Sequence, residues 1–317
     1  MKKIMVLLLI NYSIGGCAQK EIKKEDIINK ENVKKVANIY KEVKKYDYKP
    51  SYTLHIEKVS NFTFEALVND EQLIKNYNSK NFTGSMPINE ALLHSGKQKL
   101  TIRMTPLKDD DFIMAKEIDM ENIALKLSIN YGDYGKEKVK DFKEALRYEL
   151  PKQKGKLPYY EVHLEFDAPI VPYENDVEGW KNGVDLTKED KDKLLKEVED
   201  FYKEMIGYYD AKDVNAIAGK YYKRQLELDK VGYRNQPEDS QMLIDGWVKH
   251  VNDIKPFVFE DYAMRFYGNG KMVALVRTDK YYFNFSNLIR EDAEGNFQTY
   301  AMYLYRPKAG APLEVIR

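Results

Sequence analysis

Residues 51–70, SYTLHIEKVSNFTFEALVND, decide the fold of the first half of the chain. Apolar and polar side chains alternate through most of this stretch, which ends in the turn-forming pair Asn69-Asp70. A period of two places successive side chains on opposite faces of an extended strand, so that one face is buried and the other meets water. The stretch therefore predicts half-buried β-strands. Their apolar positions are Leu54, Ile56, Phe62, Phe64, Ala66 and Val68.

The same alternation returns three times further along this half, with turn residues in between. Short alternating strands separated by turns are typical of a β-sandwich, and the sequence predicts one over residues 50–168. Residues 87–106, PINEALLHSGKQKLTIRMTP, resemble immunoglobulin-like and jelly-roll modules, in which an apolar residue and Asn precede a Gly turn and a strand. Residues 136–150 have apolar side chains at helical spacing and are compatible with a helical insertion. The later strands have the apolar faces Leu100, Ile102 and Met104; Ile123, Leu125, Leu127 and Ile129; and Tyr160, Val162, Leu164 and Phe166.

The composition changes after the predicted sandwich. Residues 169–185, PIVPYENDVEGWKNGVD, are rich in Pro, Gly and polar residues and predict a linker. Helical spacing follows for three helices, and strands return at Phe257, where Gly268-Asn269-Gly270 predicts a hairpin. The sequence thus predicts a two-domain protein. Its second domain, residues 186–317, is α+β and is expected to fold alone.

The predicted helices and closing strand of this second half carry a distinctive set of residues. The set is Phe201, Tyr202, Met205, Tyr209 and Asp210, then Tyr221-Tyr222, and the strand from Tyr300 to Tyr305. It resembles the NTF2-like, or SnoaL-like, superfamily, in which a long first helix carrying Phe-Tyr-x-x-Met and an acidic residue packs across a curved sheet. The resemblance implies a cone-shaped domain with a cavity between helices and sheet. It does not imply catalysis, because the superfamily includes enzymes and non-enzymatic binders.

The first seventeen residues, MKKIMVLLLINYSIGGC, contain the only cysteine of the chain. Two lysines give a basic start, and the apolar run from Ile4 to Ile10 is too short to span a bilayer. The following Ile14-Gly15-Gly16-Cys17 resembles a bacterial lipobox. The resemblance implies a signal peptide over residues 1–16. An ordinary secretory signal with a chance cysteine is the alternative.

Lipidation of Cys17 would anchor the protein to a membrane. A diacylglycerol and an N-acyl chain, for example palmitate, bury far more apolar carbon than the single chain that binds only marginally. We expect a lipid-anchored protein of the bacterial cell envelope, and Ala18 favours the outer membrane. Residues 17–49 mix both charges with apolar positions at near-helical spacing, which predicts a partly helical spacer. A surface helix lying on anionic lipid is the alternative interpretation.

Charge and motifs exclude several functions. Lys and Arg number 51, as do Asp and Glu, so the formal net charge is zero, which disfavours nucleic acid as a partner. No Gly-rich phosphate loop, HExxH, GxSxG or Cys-based site is present. The sequence therefore indicates no cofactor.

The histidines give two candidate sites. His250 lies one position from the apolar stripe of its predicted helix, and with Asp210 it is a candidate acid-base pair in the NTF2-like cavity. His163 shares a strand face with Glu161 and Glu165, and these three are candidate ligands of a divalent ion. The favoured interpretation assigns neither catalysis nor metal binding. It makes His250 a hydrogen-bonded helix residue and the strand face a solvated one.

Tyrosine is the other abundant residue type, with 25 in the chain, clustered in the second half. Tyr combines apolar area with a hydroxyl, which suits protein interfaces and carbohydrate platforms. The candidate binding residues are Tyr300, Tyr303 and Tyr305 on the last strand and Trp247 on the third helix. Because half of a strand must face the core, a structural role for most of them is the favoured alternative.

Three functions remain open. We expect a non-catalytic envelope lipoprotein that binds a protein or a glycan, with the membrane as a partner through Cys17. The second is an immunity-type lipoprotein that neutralises an envelope toxin through a charge-complementary interface. The third is an NTF2-like enzyme using His250 and Asp210.

Overall fold

The computed structural model describes residues 21–317, so the predicted signal peptide and Cys17 lie outside the described residues. Its first part is built from strands β1 (Ser51–Ser60), β2 (Thr63–Val68), β3 (Glu71–Asn76), β4 (Asn81–Pro87), β5 (Gly96–Thr105), β6 (Ile118–Asp119), β7 (Ala124–Gly132), β8 (Lys143–Glu149), β9 (Lys156–Leu157) and β10 (Tyr160–Ala168). Sheet A has the order β4-β1-β7-β8, sheet B has the order β10-β5-β2-β3, and β6 pairs with β9. All pairs are antiparallel. The predicted β-rich architecture of this half is confirmed.

Sheets A and B enclose an apolar core. Leu54 of β1, Leu127 of β7 and Ile102 of β5 are fully buried and belong to one continuous cluster. Within sheet A, Leu54 lies directly opposite Ile129, so the apolar side chains share one face. Burying each such aliphatic side chain contributes about 1.5 to 3 kcal/mol of transfer free energy. The alternation in the sequence therefore corresponds to this inner face.

The second part combines helices with a third antiparallel sheet. The α-helices are α1 (Lys24–Ile27), α2 (Glu31–Ala37), α3 (Lys191–Asp210), α4 (Val214–Val231) and α5 (Pro237–Asn252), and short 3-10 helices cover Ile39–Glu42, Asn89–Ala91, Val139–Asp141 and Leu186–Lys188. The strands are β11 (Tyr262–Tyr267), β12 (Met272–Arg277), β13 (Ile289–Glu291), β14 (Phe297–Thr299), β15 (Leu304–Tyr305) and β16 (Glu314–Val315). Sheet C has the order β11-β12-β15-β16, and β13 pairs with β14. Within residues 21–317, no helix has both the length and the apolar character needed to cross a bilayer.

Local sequence fixes where the long helices begin. The carboxylate of Asp190 accepts hydrogen bonds from two backbone N–H groups in the first turn of α3, at 3.1 and 3.0 Å. Asp213 caps α4 through the backbone N–H of Ala216 at 3.0 Å. Pro237 is the first residue of α5, where its missing N–H costs nothing. Such side-chain caps satisfy donors that have no partner inside the helix.

Two strands, β2 and β12, are buried on both faces, which places each of them between two layers of the molecule. Every residue of β12 is buried. Met272 and Ala274 pack with the residues of the sandwich, whereas Val273 and Leu275 pack with the helices. Every residue of β2 is buried as well. The order of layers is therefore sheet A, sheet B, sheet C and the helices.

The described part of the predicted spacer, residues 21–49, packs into the helical layer, and this corrects the sequence interpretation of that part. Helix α2 packs on α4 and α5, and Val33, Val36 and Ile39 are fully buried. The side-chain amide of Asn32 donates to the backbone carbonyl of Asn215 at 3.1 Å. Apolar positions at helical spacing were predicted correctly. They form a buried packing face, whereas a spacer would have left them in contact with solvent.

The predicted linker, residues 169–185, is also part of the interior. Tyr173 is fully buried and Trp180 is 4% exposed, both in the cluster that contains the sandwich core. The Tyr173 hydroxyl donates to the carbonyl of Asn89 at 2.8 Å. The segment has no regular secondary structure, as its Pro and Gly content predicted, but its aromatic side chains join the two halves.

Residues 136–150 contain a strand and a single 3-10 turn, and the helical insertion is wrong. Strand β8 pairs along the edge of sheet A, with Leu146 opposite Ile129. The segment forms a strand because it pairs with the edge of sheet A. The few apolar side chains at helical spacing are not enough to favour a helix there.

Candidate functional site

The outer face of sheet B is only half covered by sheet C. Strand β2 is buried on both faces, whereas β5 and β10 alternate between buried and accessible residues. Above the uncovered strands lies a cleft of about 620 Å³. It is bounded by β5 and β10, by the irregular segment at Trp180-Lys181, and by the hairpin turn of sheet C from Gly268 to Lys271. We call it the basic cleft.

The basic cleft has a strong excess of positive charge. Five of its lining side chains are Lys or Arg, two are His and one is acidic. The cations are Lys97, Lys99, Arg103, Lys181 and Lys271; the histidines are His94 and His163; the acid is Asp70. The chain as a whole has no net charge, so the positive charge of the cleft is a local excess. Such a concave cationic surface attracts anionic ligands.

Three of these cations lie on one strand because of its period of two. Lys97, Lys99 and Arg103 project from the outer face of β5, as does Thr101. The alternate residues Gln98, Leu100 and Ile102 are buried. Across the sheet, Lys99 lies opposite Glu165 and Arg103 opposite Glu161. These three cations form a stripe along β5, and the alternation of side chains in a strand is sufficient to explain it.

The stripe is unevenly neutralised. Arg103 contacts three carboxylates: its Nε lies 3.0 Å from Glu161, its Nη2 3.3 Å from Asp70 and its Nη1 3.7 Å from Glu65. Partial burial raises the pKa of Glu161, but hydrogen bonds from Tyr159 and Arg103 outweigh it and lower the pKa overall. Arg103 is thus committed to the architecture of the cleft.

The lysines of the cleft make weaker contacts with carboxylates than Arg103 does. Lys97 lies 3.9 Å from Glu165 in a pair whose two side chains are 86% and 64% exposed, which stabilises little. The ammonium of Lys181 donates to the backbone carbonyls of Leu93 and Glu174 at 3.2 and 2.8 Å. Carbonyl partners leave the charge of Lys181 in place. The lysines therefore supply the free charge of the cleft.

The hairpin turn of sheet C closes one side of the cleft. The backbone N–H of Gly268 donates to the carbonyl of Asp70 at 3.0 Å, and that of Asn269 donates to the Asp70 carboxylate at 2.8 Å. Gly268 has a left-handed backbone, with φ of 60°, and a Cβ there would lie 2.8 Å from the indole of Trp180. Glycine is required on both counts.

The covered half of the same sheet face contains buried charges. Glu65 of β2 is 2% exposed and accepts hydrogen bonds from both terminal nitrogens of Arg265 of β11, at 2.7 and 2.8 Å. Tyr77 and Asn284 also donate to Glu65. Bidentate pairing of this kind is strong and directional. We call these four residues the interlayer ion cluster.

A second buried carboxylate, that of Glu71, lies on the next strand of the chain after Glu65. Glu71 of β3 lies 3.5 Å from Nε of Arg317. Burial raises the pKa of Glu71 to about 8, and this effect exceeds the attraction of Arg317. Arg317 also contacts Glu227 of α4 at 3.2 Å, and Glu227 accepts the backbone N–H of Gly179. These contacts tie sheet B to the helical layer.

The candidate acid-base residues Asp210 and His250 both lie near Arg290. Asp210 lies 3.4 Å from Nη2 of Arg290. The ring of His250 packs edge-on against Tyr300, with centroids 5.1 Å apart. Burial lowers the pKa of His250, and the neighbouring Lys249 adds to this effect. Asp210 thus contacts the buried Arg290, whereas His250 contacts Tyr300.

The candidate metal ligands contact neighbouring side chains instead of converging on one point. Glu161 contacts His163 at 3.1 Å as well as Arg103, and Glu165 is paired with Lys97. Across residues 21–317, no group of three or more His, Cys, Asp or Glu side chains is placed to hold a metal ion. His163 instead contributes to the wall of the basic cleft.

The predicted aromatic binding face is wrong. Tyr300, Tyr305 and Trp247 are buried, at 7%, 1% and 6% exposure. Tyr303 is partly buried and packs edge-on against Tyr267, between sheets B and C. Both faces of sheet C are covered, so its tyrosines fill the layers on either side.

Sequence reasoning missed the basic cleft. Its strongest signal was present, because Lys97, Lys99 and Arg103 recur at even spacing on the polar face of a predicted strand. Lys181 and Lys271 gave no signal, since only the packing of the irregular segment and the hairpin brings them to the same place.

Comparison of the chain with protein families, with curated proteins and with solved structures finds no match in any of the three. The functional conclusion therefore rests on the chemistry of the site.

Proposed function

We propose that the protein is a non-catalytic binding protein of the bacterial cell envelope, anchored through lipidated Cys17, and that its basic cleft binds an acidic glycan. The observation that carries this proposal is the excess of five Lys and Arg over one acid in a cleft of about 620 Å³. Ammonium and guanidinium groups pair with carboxylate or phosphate groups. Clefts of this volume suit small ligands and short oligomers.

A glycan also accounts for the uncharged residues of the cleft. The side chains of Thr101 and Asn269 offer donors and acceptors for sugar hydroxyls. Leu93 and Trp180 also border the cleft, but each is only 4% exposed, so the contacts that the cleft offers a ligand are mainly polar. An acidic protein segment, the partner class of the immunity-type alternative, would use the cations but not this combination.

For the fold, we propose that residues 186–317 are NTF2-like and that the first half is immunoglobulin-like. Helix α3 supports the first proposal, because it packs across sheet C. The Tyr202 hydroxyl accepts from the backbone N–H of Leu275 at 3.1 Å and donates to the carbonyl of Met302 at 3.0 Å. The two antiparallel sheets around one core support the second.

Calorimetric titration tests the cleft with two probes of equal charge, hexagalacturonate as an acidic glycan and hexaglutamate as an acidic peptide. We expect the full chain to bind hexagalacturonate more tightly. Replacing Lys97 and Lys99 together by Gln should weaken that binding about tenfold, which corresponds to about 1.4 kcal/mol. The matched control replaces Lys138 and Lys140, exposed lysines of a sheet A loop, and should bind as the native chain does.

Two results would contradict the proposal. Equal weakening by the control lysines would mean that the probe senses only general charge. Tighter binding of hexaglutamate would indicate that the natural ligand of the cleft is an acidic protein segment rather than a glycan.

The anchor has its own test. Changing Cys17 to Ser should abolish incorporation of a palmitate analogue during growth, because the thiol is the attachment point. Retained label in the Ser variant would show that the lipobox interpretation is wrong.

A further inference from the structure

Two exposed aromatic rings from different layers meet at the surface, away from the basic cleft. Phe112, in the loop after β5, is 41% exposed, and Tyr281, in the loop after β12, is 52% exposed. Their ring centroids are 5.2 Å apart with an interplanar angle of 56°. We call this pair the aromatic platform. Exposed aromatic rings that pack together form an apolar surface on which a ligand can stack.

The backbone of Phe112 is held in an unfavourable conformation. Its φ of 60° lies in the left-handed region, which bulky side chains avoid. Asp109 maintains this conformation by accepting the backbone N–H groups of Asp111 and Ile113 at 3.0 and 2.8 Å. The Asp109 carbonyl also accepts the N–H of Phe112 at 3.0 Å. Strain that the surroundings enforce in this way is concentrated at functional sites.

A second aspartate holds the other ring in the same manner. The carboxylate of Asp279 accepts the backbone N–H groups of Tyr281 and Tyr282, both at 2.9 Å. Lys108 joins the two loops, because its ammonium donates to the carbonyl of Lys280 at 2.7 Å. The platform is therefore preorganised rather than a chance contact of flexible loops.

A groove of about 450 Å³ lies beside the platform, and Phe112 forms part of its wall. Asn78, Ser79, Lys80 and Asp110 line it as well. Together they present amide, hydroxyl, ammonium and carboxylate groups, which include both donors and acceptors. Sugar hydroxyls, which both donate and accept, match this mixture.

We propose that the aromatic platform and its groove bind an uncharged sugar unit of a glycan chain. The apolar C–H face of the sugar ring packs on Phe112, and its hydroxyl groups bond to the side chains of the groove. A stable protein interface needs about 800 Å² on each partner, far more than two rings and a short groove supply. Three consecutive aspartates, residues 109–111, oppose contact with anionic lipid.

Saturation-transfer NMR on the full chain tests this site with two neutral probes, N,N′-diacetylchitobiose and maltotriose. We expect transfer to the ring protons of at least one probe. Changing Phe112 to Gly should weaken that binding about tenfold. The unfolding midpoint of this variant should be no lower than that of the native chain, because glycine adopts a φ of 60° without strain. A merely structural Phe112 would give the opposite pattern, a lower midpoint with unchanged binding.

Two control variants separate the platform from other surfaces. Tyr134 is 61% exposed and packs against Phe142 on sheet A, so Tyr134→Ala should leave probe binding unchanged. The Lys97→Gln and Lys99→Gln double variant should also bind the neutral probes normally, which makes this site independent of the basic cleft. Absence of transfer to both probes, or equal loss in Tyr134→Ala, would overturn the proposal.

Discussion

The two halves of the outer face of sheet B contain similar charged residues and use them differently. Under sheet C, the buried Glu65 is neutralised by a bidentate pair with Arg265 of β11. Beside it, Lys97 and Lys99 project from β5 into the basic cleft. Arg103 lies at the boundary and contacts carboxylates on both sides. Coverage by a second layer, rather than residue type, thus decides whether a charge is structural or available to a ligand.

Separating the covering layer from the sandwich should have the largest effect. Residues 186–317 expressed alone should show no cooperative thermal transition by circular dichroism, which reverses the expectation from the sequence. The fragment lacks α2 and exposes the face of sheet C that carries Tyr267 and Met272. Residues 21–317, prepared in parallel, should melt cooperatively. A cooperative melt of the fragment would show that the layers do not share one core.

Breaking the interlayer ion cluster should have the next largest effect. Glu65→Ala removes the carboxylate partner of the Arg265 guanidinium, whose side chain is 30% exposed, and we expect a loss of about 3 kcal/mol in the free energy of unfolding. Denaturant titration measures it. Glu57→Ala on sheet A removes an exposed pair with Lys126 and Arg147, and should cost less than about 1 kcal/mol.

An apolar replacement sharpens this prediction. Glu65→Leu combined with Arg265→Met removes both charges and should recover most of the lost stability, because desolvation offsets much of the attraction in a buried pair. A double variant as unstable as Glu65→Ala would mean that the cluster acts through packing rather than charge.

The sequence predicted the inner faces of sheets A and B well but not the interface between sheets B and C. Alternation identified Leu54 and Ile102 as core residues. The same alternation placed Glu65 on the polar face of its strand, and its partner Arg265 lies 200 positions away in the chain. No local pattern reports a pair at that separation. Only part of the basic cleft could be predicted from the sequence. The cations on β5 recur at alternate positions, whereas Lys181 and Lys271 reach the cleft only through tertiary packing.

The buried Glu71 predicts a pH dependence of stability. Its pKa of about 8 in the folded protein lies above its ordinary value of 4.5, so between these values the folded state retains a proton that the unfolded state releases. The free energy of unfolding should therefore fall as pH rises through this window, by up to about 1.4 kcal/mol per pH unit.

A variant isolates this contribution. Glu71→Gln cannot titrate, so its unfolding free energy should decline less steeply with pH than that of the native chain. Denaturant titrations at several pH values measure the two slopes. Identical slopes would mean that Glu71 titrates normally and that its side chain is solvated in the folded protein.

The smallest effect is expected outside both halves of the sheet B face. His250→Gln should cost about 1 kcal/mol of unfolding free energy, a typical hydrogen-bond or packing loss. Complementation of a deletion strain should be normal. Loss of complementation at normal protein abundance would instead support the enzyme alternative.

Lysine labelling with an amine-reactive reagent, read by mass spectrometry, compares the two halves of the face most directly. With hexagalacturonate bound, we predict that labelling of Lys97 and Lys99 falls. Labelling of Lys75, which contacts Asn284 beneath sheet C, and of the exposed control Lys138 should not change. Unchanged labelling of Lys97 and Lys99 at saturating probe would contradict the assignment of the uncovered half as the binding site.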